Sequence, residues 1–178
     1  MFPSGVLAKF IDRCPAAVMV RAVVERVLRP ERLDEIFEAH RGRQYERTIV
    51  CSELVAMMMG VATRTHRSVH AGYLAAKEKL GVSAAAVYGK LSSFDPVVTS
   101  ALIRDTAADM SSVIKELPNG QRVVLPGYDV YYLDGNHLAA TEHRLKVLRT
   151  TREGPLPGQS LVLLDAQTEL VGELVPCE

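Results

Sequence analysis

Residues 131–145, YYLDGNHLAATEHRL, hold the densest set of groups able to do chemistry. Asp134 closes an apolar run, Gly135 and Asn136 favour a turn, and His137, Glu142, His143 and Arg144 follow. A carboxylate held rigidly at the end of a central strand, at a partly dry edge, is what a divalent cation such as Mg²⁺ requires of a protein oxygen ligand. Gly135 and Asn136 would turn the backbone away and leave that carboxylate uncovered. The same residues also fit an Asp-Gly hairpin turn with no chemistry in it.

The neighbouring groups narrow the choices. On a helix His137 and His143 would be turned about 240° from one another, so their imidazoles would not converge on a zinc ion. Arg144, Lys146, Arg149 and Arg152 form a basic cluster that is either a solvated face or a contact to a phosphate backbone. Asp165 closes the next apolar run, SLVLLD. If the two strands are adjacent and antiparallel, their C-terminal ends lie at opposite edges about 17–20 Å apart, too far for one metal to bridge. The chain has no Walker loop, no GxGxxG and no GxSxG, so phosphate-cradling and nucleophile-elbow chemistries are left aside.

The elements that must position these groups divide into a helical front and an extended back. In PAAVMVRAVVERVL, Val20, Val23, Val24, Val27 and Leu28 make one apolar stripe. Pro30 stops that helix and suits the start of the next, where Leu33, Ile36 and Phe37 repeat the spacing. Residues 48–62 are apolar almost all round, as a central bundle helix would be, with Met57, Met58 and Met59 as core filler.

Two further helices are punctuated by Ser68 as a cap, Gly81 as a left-handed terminus and Ser83 as a second cap. Asp95 before Pro96 starts another, which Pro118, Asn119 and Gly120 end. VVLPGYDVYYLD, SLVLLD and ELVGELV then read as strands, bounded by GNH, GPLPGQ and AQT. The pattern changes near residues 118–122.

Residues 68–94 have the form of a helix-turn-helix. Val87 and Leu91 would face inward, leaving Tyr88 and Lys90 for a DNA groove and Arg64, Arg67, Lys77 and Lys79 for phosphates. Two packed helices joined by a Gly-and-Ser turn would look the same. Charge does not decide between these readings, because Lys plus Arg and Asp plus Glu both count 21.

Cys14, Cys51 and Cys177 are odd in number and far apart, which suits reduced thiols in a cytoplasmic chain better than a disulfide framework. The most apolar run, TIVCSELVAMMMGVAT, contains Glu53 and is shorter than the roughly 20 residues of a membrane span. A soluble chain without a membrane partner is expected.

LDGNHLAATEHRLKVLR and PLPGQSLVLLDAQTELVGELVPCE resemble the start of the catalytic domain of bacterial insertion-sequence transposases of the DDE type, in the lineage called the IS-four family. AAVMVRAVVERVL, RPERLDEIFEAH, SVHAGY and GVSAAAVYGKLSSFDPVV are similar to the N-terminal helical part of the same group. The resemblance implies an α+β chain. Its all-helical domain would span 1–120, and 121–178 would carry the first three strands of an RNase H-like mixed sheet, truncated.

It also implies that Asp134 is the first catalytic Asp and a ligand for Mg²⁺ or Mn²⁺ in the complete enzyme. There, two metal ions held by three acidic residues drive DNA cleavage and strand transfer. DNA at the insertion-sequence ends is the implied partner, with Tyr88, Lys90, Arg144, Lys146, Arg149 and Arg152 as its contacts. Full-length transposase or a second copy is a further one, in a bacterial, nucleoid-associated setting.

The second Asp and the Glu of the family pattern are expected beyond Glu178, so this chain alone is expected to be inactive and to bind no metal tightly. The alternative is a non-catalytic DNA-binding or regulatory fragment that binds element ends. VGELVPCE is expected to leave an open strand edge.

Overall fold

The computed structural model describes residues 11, 13–42, 49–118, 120–143 and 156–177. Within them six helices precede three strands. The helices are α1 (Pro15–Val27), α2 (Pro30–His40), α3 (Cys51–Ala62), α4 (Val69–Leu80), α5 (Ala84–Ser92) and α6 (Pro96–Glu116); the strands are β1 (Tyr131–His143), β2 (Leu156–Asp165) and β3 (Val171–Cys177). The chain is therefore α+β, with a small sheet that is antiparallel throughout and ordered β1-β2-β3.

Proline starts three of the helices, at Pro15, Pro30 and Pro96, where its missing N–H costs nothing. Side chains satisfy other orphan donors. Ser68 accepts from the Ala71 N–H at 3.1 Å, Ser83 from Ala86 at 3.3 Å and Asp95 from Val97 at 2.9 Å. Gly81 ends α4 at φ 63°, the left-handed conformation that a side chain disfavours.

The chain divides into two compact units, one of residues 1–38 and 45–92, the other of 39–44 and 93–178. In the first, Leu33, Ile36 and Phe37 of α2 are buried, as their spacing predicts, along with Cys51, Leu54, Met57, Tyr73 and Val87. Two expectations are only half met. Of the α1 stripe only Val27 is buried and Val20 is 59% exposed, because only the last turn of that helix reaches the core. In α3, Met57 is core while Met59 is exposed, so this helix too has an outer face.

The start of α3 is held by a residue from another helix. Val50, the residue preceding α3, offers no side-chain cap. Instead the Asp34 carboxylate accepts from the Ser52 N–H at 2.8 Å and from the Ser52 hydroxyl at 2.9 Å. An anion there also complements the positive end of the helix. The turn from α3 to α4 closes tightly around His66, whose N–H donates to the Gly60 carbonyl at 2.8 Å.

In the second unit α6 lies against β3. Val98 and Ala101 are buried, and the Ser100 hydroxyl donates to the Leu174 carbonyl. Helix α6 ends at Glu116, close to the expected change at 118–122, but the first strand begins only at Tyr131 rather than in the VVLPGYDV run, and the compact units divide between Ser92 and Ser93. Periodicity reports local structure, whereas the apolar face of α6 decides which elements it packs with.

Candidate functional site

Asp134 is not at a strand end. β1 continues through Gly135 and Asn136, which pair in extended geometry with Leu161 and Ser160 rather than turning. The predicted Asp-Gly turn is absent because the ladder with β2 supplies these residues with backbone partners. Nor is β1 central: β2 is the middle strand of the described sheet. Asp134 is exposed, as are Tyr131, Tyr132 and Leu133 at 52%, 56% and 67%. The apolar run before it is thus a surface run.

Register fixes which groups share a face. Asp134 stands opposite Val162 and Tyr132 opposite Leu164, so these four side chains lie on one side of the sheet. Leu174 pairs with Val162 and extends that side onto β3. Tyr131 opposite Asp165, and Leu133 opposite Leu163 and then Glu173, lie on the other.

Asp165 is therefore only three residues along the strand from the position facing Asp134, about 10 Å, instead of 17–20 Å. The two carboxylates still do not converge, because they project from opposite faces. Among the described residues no three His, Cys, Asp or Glu side chains are grouped to hold a metal ion. His137 and His143 are on a strand rather than a helix, six residues apart, or roughly 20 Å of extended chain.

Helices α4 and α5 form where the caps at Ser68, Gly81 and Ser83 predict. Tyr73 ties the turn by donating its hydroxyl to the Val82 carbonyl at 2.9 Å, and Val87 is fully buried while Leu91 is half-buried. Tyr88 is exposed on the outer side of α5. Lys90 is half-buried, with its ammonium 5.0 Å from the centroid of the Phe37 ring, so its stem and charge are already engaged with the core. Arg64, Arg67, Lys77 and Lys79 are exposed, Lys79 at 3.8 Å from Glu53. Arg144, Lys146, Arg149 and Arg152 lie outside the described residues.

Two features were missed in the sequence. One is a cleft of about 380 Å³ between α6 and the sheet, where Arg104 reaches Glu173 at 3.9 Å and Asp165, Tyr131 and Thr168 contribute to the wall. Its strand residues belong to the face opposite Asp134, so it is not an extension of that carboxylate's surroundings. The other is not the turn at 165–170 itself, which AQT marks, but its long-range bonds, from Gln167 back to Tyr128 and Asp129. Within the turn Asp165 Oδ1 accepts from the Gln167 N–H at 2.8 Å, a local Asp turn whose residue types were legible.

Set against protein-family models, curated proteins and solved structures, the chain matches none of them. No helix among the described residues is long and apolar enough to cross a membrane.

Proposed function

We propose that the chain is part of an insertion-sequence transposase of the DDE type and that its role is to bind DNA, with Asp134 as the first acidic residue of that family's catalytic set. The observation that carries the reading is a coincidence of boundaries. The segment of strongest resemblance, from residue 131 onward, folds as three consecutive antiparallel strands, with Asp134 exposed on the first. The helical segment of the resemblance supplies a capped helix-turn-helix with Tyr88 outward.

One carboxylate offers too few oxygens to hold Mg²⁺ or Mn²⁺ firmly, and the described residues group no three His, Cys, Asp or Glu side chains that could hold a metal ion. This chain by itself is thus proposed to bind DNA at element ends without cutting it. Such binding would also let it compete with a complete enzyme, the regulatory reading.

Selection from a random duplex library by the purified chain, followed by footprinting of the recovered sequences, tests the proposal. Enrichment of a common motif with protection over one to two helical turns is the expected result. Recovery no better than with an unrelated neutral protein would contradict it.

A further inference from the structure

The hydrophobic pattern does not set the register that turns Asp134 toward one face of the sheet. Leu161, Val162, Leu163 and Leu164 are four consecutive apolar residues, and Tyr131, Tyr132 and Leu133 are three more on β1, of which Tyr132 faces Leu164 and Leu133 faces Leu163. A strand slipped by one residue would still set apolar against apolar. In β1 those side chains are exposed, so burial does not penalise the slip either. A slip of one would nevertheless carry Asp134 to the other face, the face of Asp165 and Glu173.

The β2–β3 turn supplies what the pattern lacks. Gln167 Nε2 donates to the Tyr128 carbonyl at 3.2 Å and to Asp129 Oδ1 at 3.1 Å. Both partners are acceptors, which fixes the orientation of the amide. The Gln167 carbonyl accepts from the Arg122 N–H at 3.0 Å, and the Ala166 N–H donates to the Val130 carbonyl at 3.0 Å. The residues just before β1 are thus clasped at fixed positions by a turn that belongs to the other two strands. The turn itself is held by Asp165, through its side chain to Gln167 and its N–H to the Leu170 carbonyl at 2.9 Å.

We infer that Gln167 is a positioning residue: it locks the register of β1 and so determines the face on which Asp134 projects. The inference rests on the proposed function only for what Asp134 does there; the register itself is independent of it.

Cross-strand nuclear Overhauser effects test it without DNA. The wild-type chain is expected to show one set, joining the backbones of Asp134 and Val162. Gln167→Ala is expected to raise the population of a slipped set, joining Leu133 or Gly135 to Val162, about tenfold through loss of two hydrogen bonds. A Gln167→Ala chain that melts earlier yet keeps the single register would overturn the inference, since a merely structural role moves stability and not pairing.

Where Gln167→Ala does not fold, Asp129→Ala decides. It removes one acceptor and is expected to give a smaller slipped population, and an unchanged register there would equally overturn the claim. Absence of DNA binding by the wild-type chain, with its slipped population raised by Gln167→Ala as expected, would instead count against the proposed function alone.

Discussion

Asp134 faces Val162 across the β1–β2 ladder, whereas Asp165, three residues further along β2, faces Tyr131. In an antiparallel pair this odd offset puts the two carboxylates on opposite sides of the sheet. Their short separation along the strand therefore creates no shared site.

The purified chain is accordingly expected to leave supercoiled plasmid intact in Mg²⁺ or Mn²⁺. Asp134→Asn, at an exposed position, is expected to change stability by no more than about 0.5 kcal/mol. Nicking that disappears in Asp134→Ala would contradict the assignment of DNA binding without cleavage.

Asp34 satisfies two donors of Ser52 at the start of α3. Asp34→Ala is expected to cost about 1.5–3 kcal/mol in denaturant unfolding, as for hydrogen bonds to a charged acceptor, and Ser52→Ala about 1 kcal/mol. The double variant should cost less than the sum, because both changes break the same contact. Strict additivity would show that the contact contributes nothing.

Gly60 sits where a β-carbon would come within 2.6 Å of the His66 ring. Gly60→Ala is expected to lower the melting temperature despite the better helix propensity of alanine. In a His66→Ala background the same change should stabilise by about 0.5–1 kcal/mol, the ordinary gain of alanine over glycine inside a helix. The same sign in both backgrounds would remove the steric explanation.

Much of the helical half was legible because its signals are local. The prolines, Ser68, Gly81, Ser83 and Asp95 act within one turn of chain, and the spacing of Leu33, Ile36 and Phe37 announces a buried face. What could not be read depends on residues far apart in sequence. Asp34 caps a helix that begins seventeen residues later, at Cys51. Gly135 and Asn136 have strong turn propensity, yet pairing with Leu161 and Ser160 keeps them extended. Tyr131 to Leu133 have the composition of a buried strand and are exposed, since burial depends on what covers a face. The Gln167 clasp joins positions 38 and 39 residues apart and leaves no periodic trace.

Lys90 and Tyr88 separate packing from DNA contact. Lys90→Ala is expected to lose about 0.5–1 kcal/mol of stability through the Phe37 ring, with Lys90→Met recovering the packing part. Tyr88→Ala, at an exposed position, is expected to leave stability nearly unchanged and to weaken DNA binding. Equal DNA affinity for Tyr88→Ala and wild type would remove α5 from the interface.

The most direct test of the central claim is the salt dependence of DNA affinity, measured by fluorescence anisotropy of the purified chain with a labelled duplex recovered from the selection. Binding at about 50 mM salt is expected, with log K falling linearly against log salt at a slope of about −0.9 for each phosphate neutralised. It should also be tighter than to a scrambled duplex. No measurable binding at that salt, or affinity indifferent to both salt and sequence, would contradict the account.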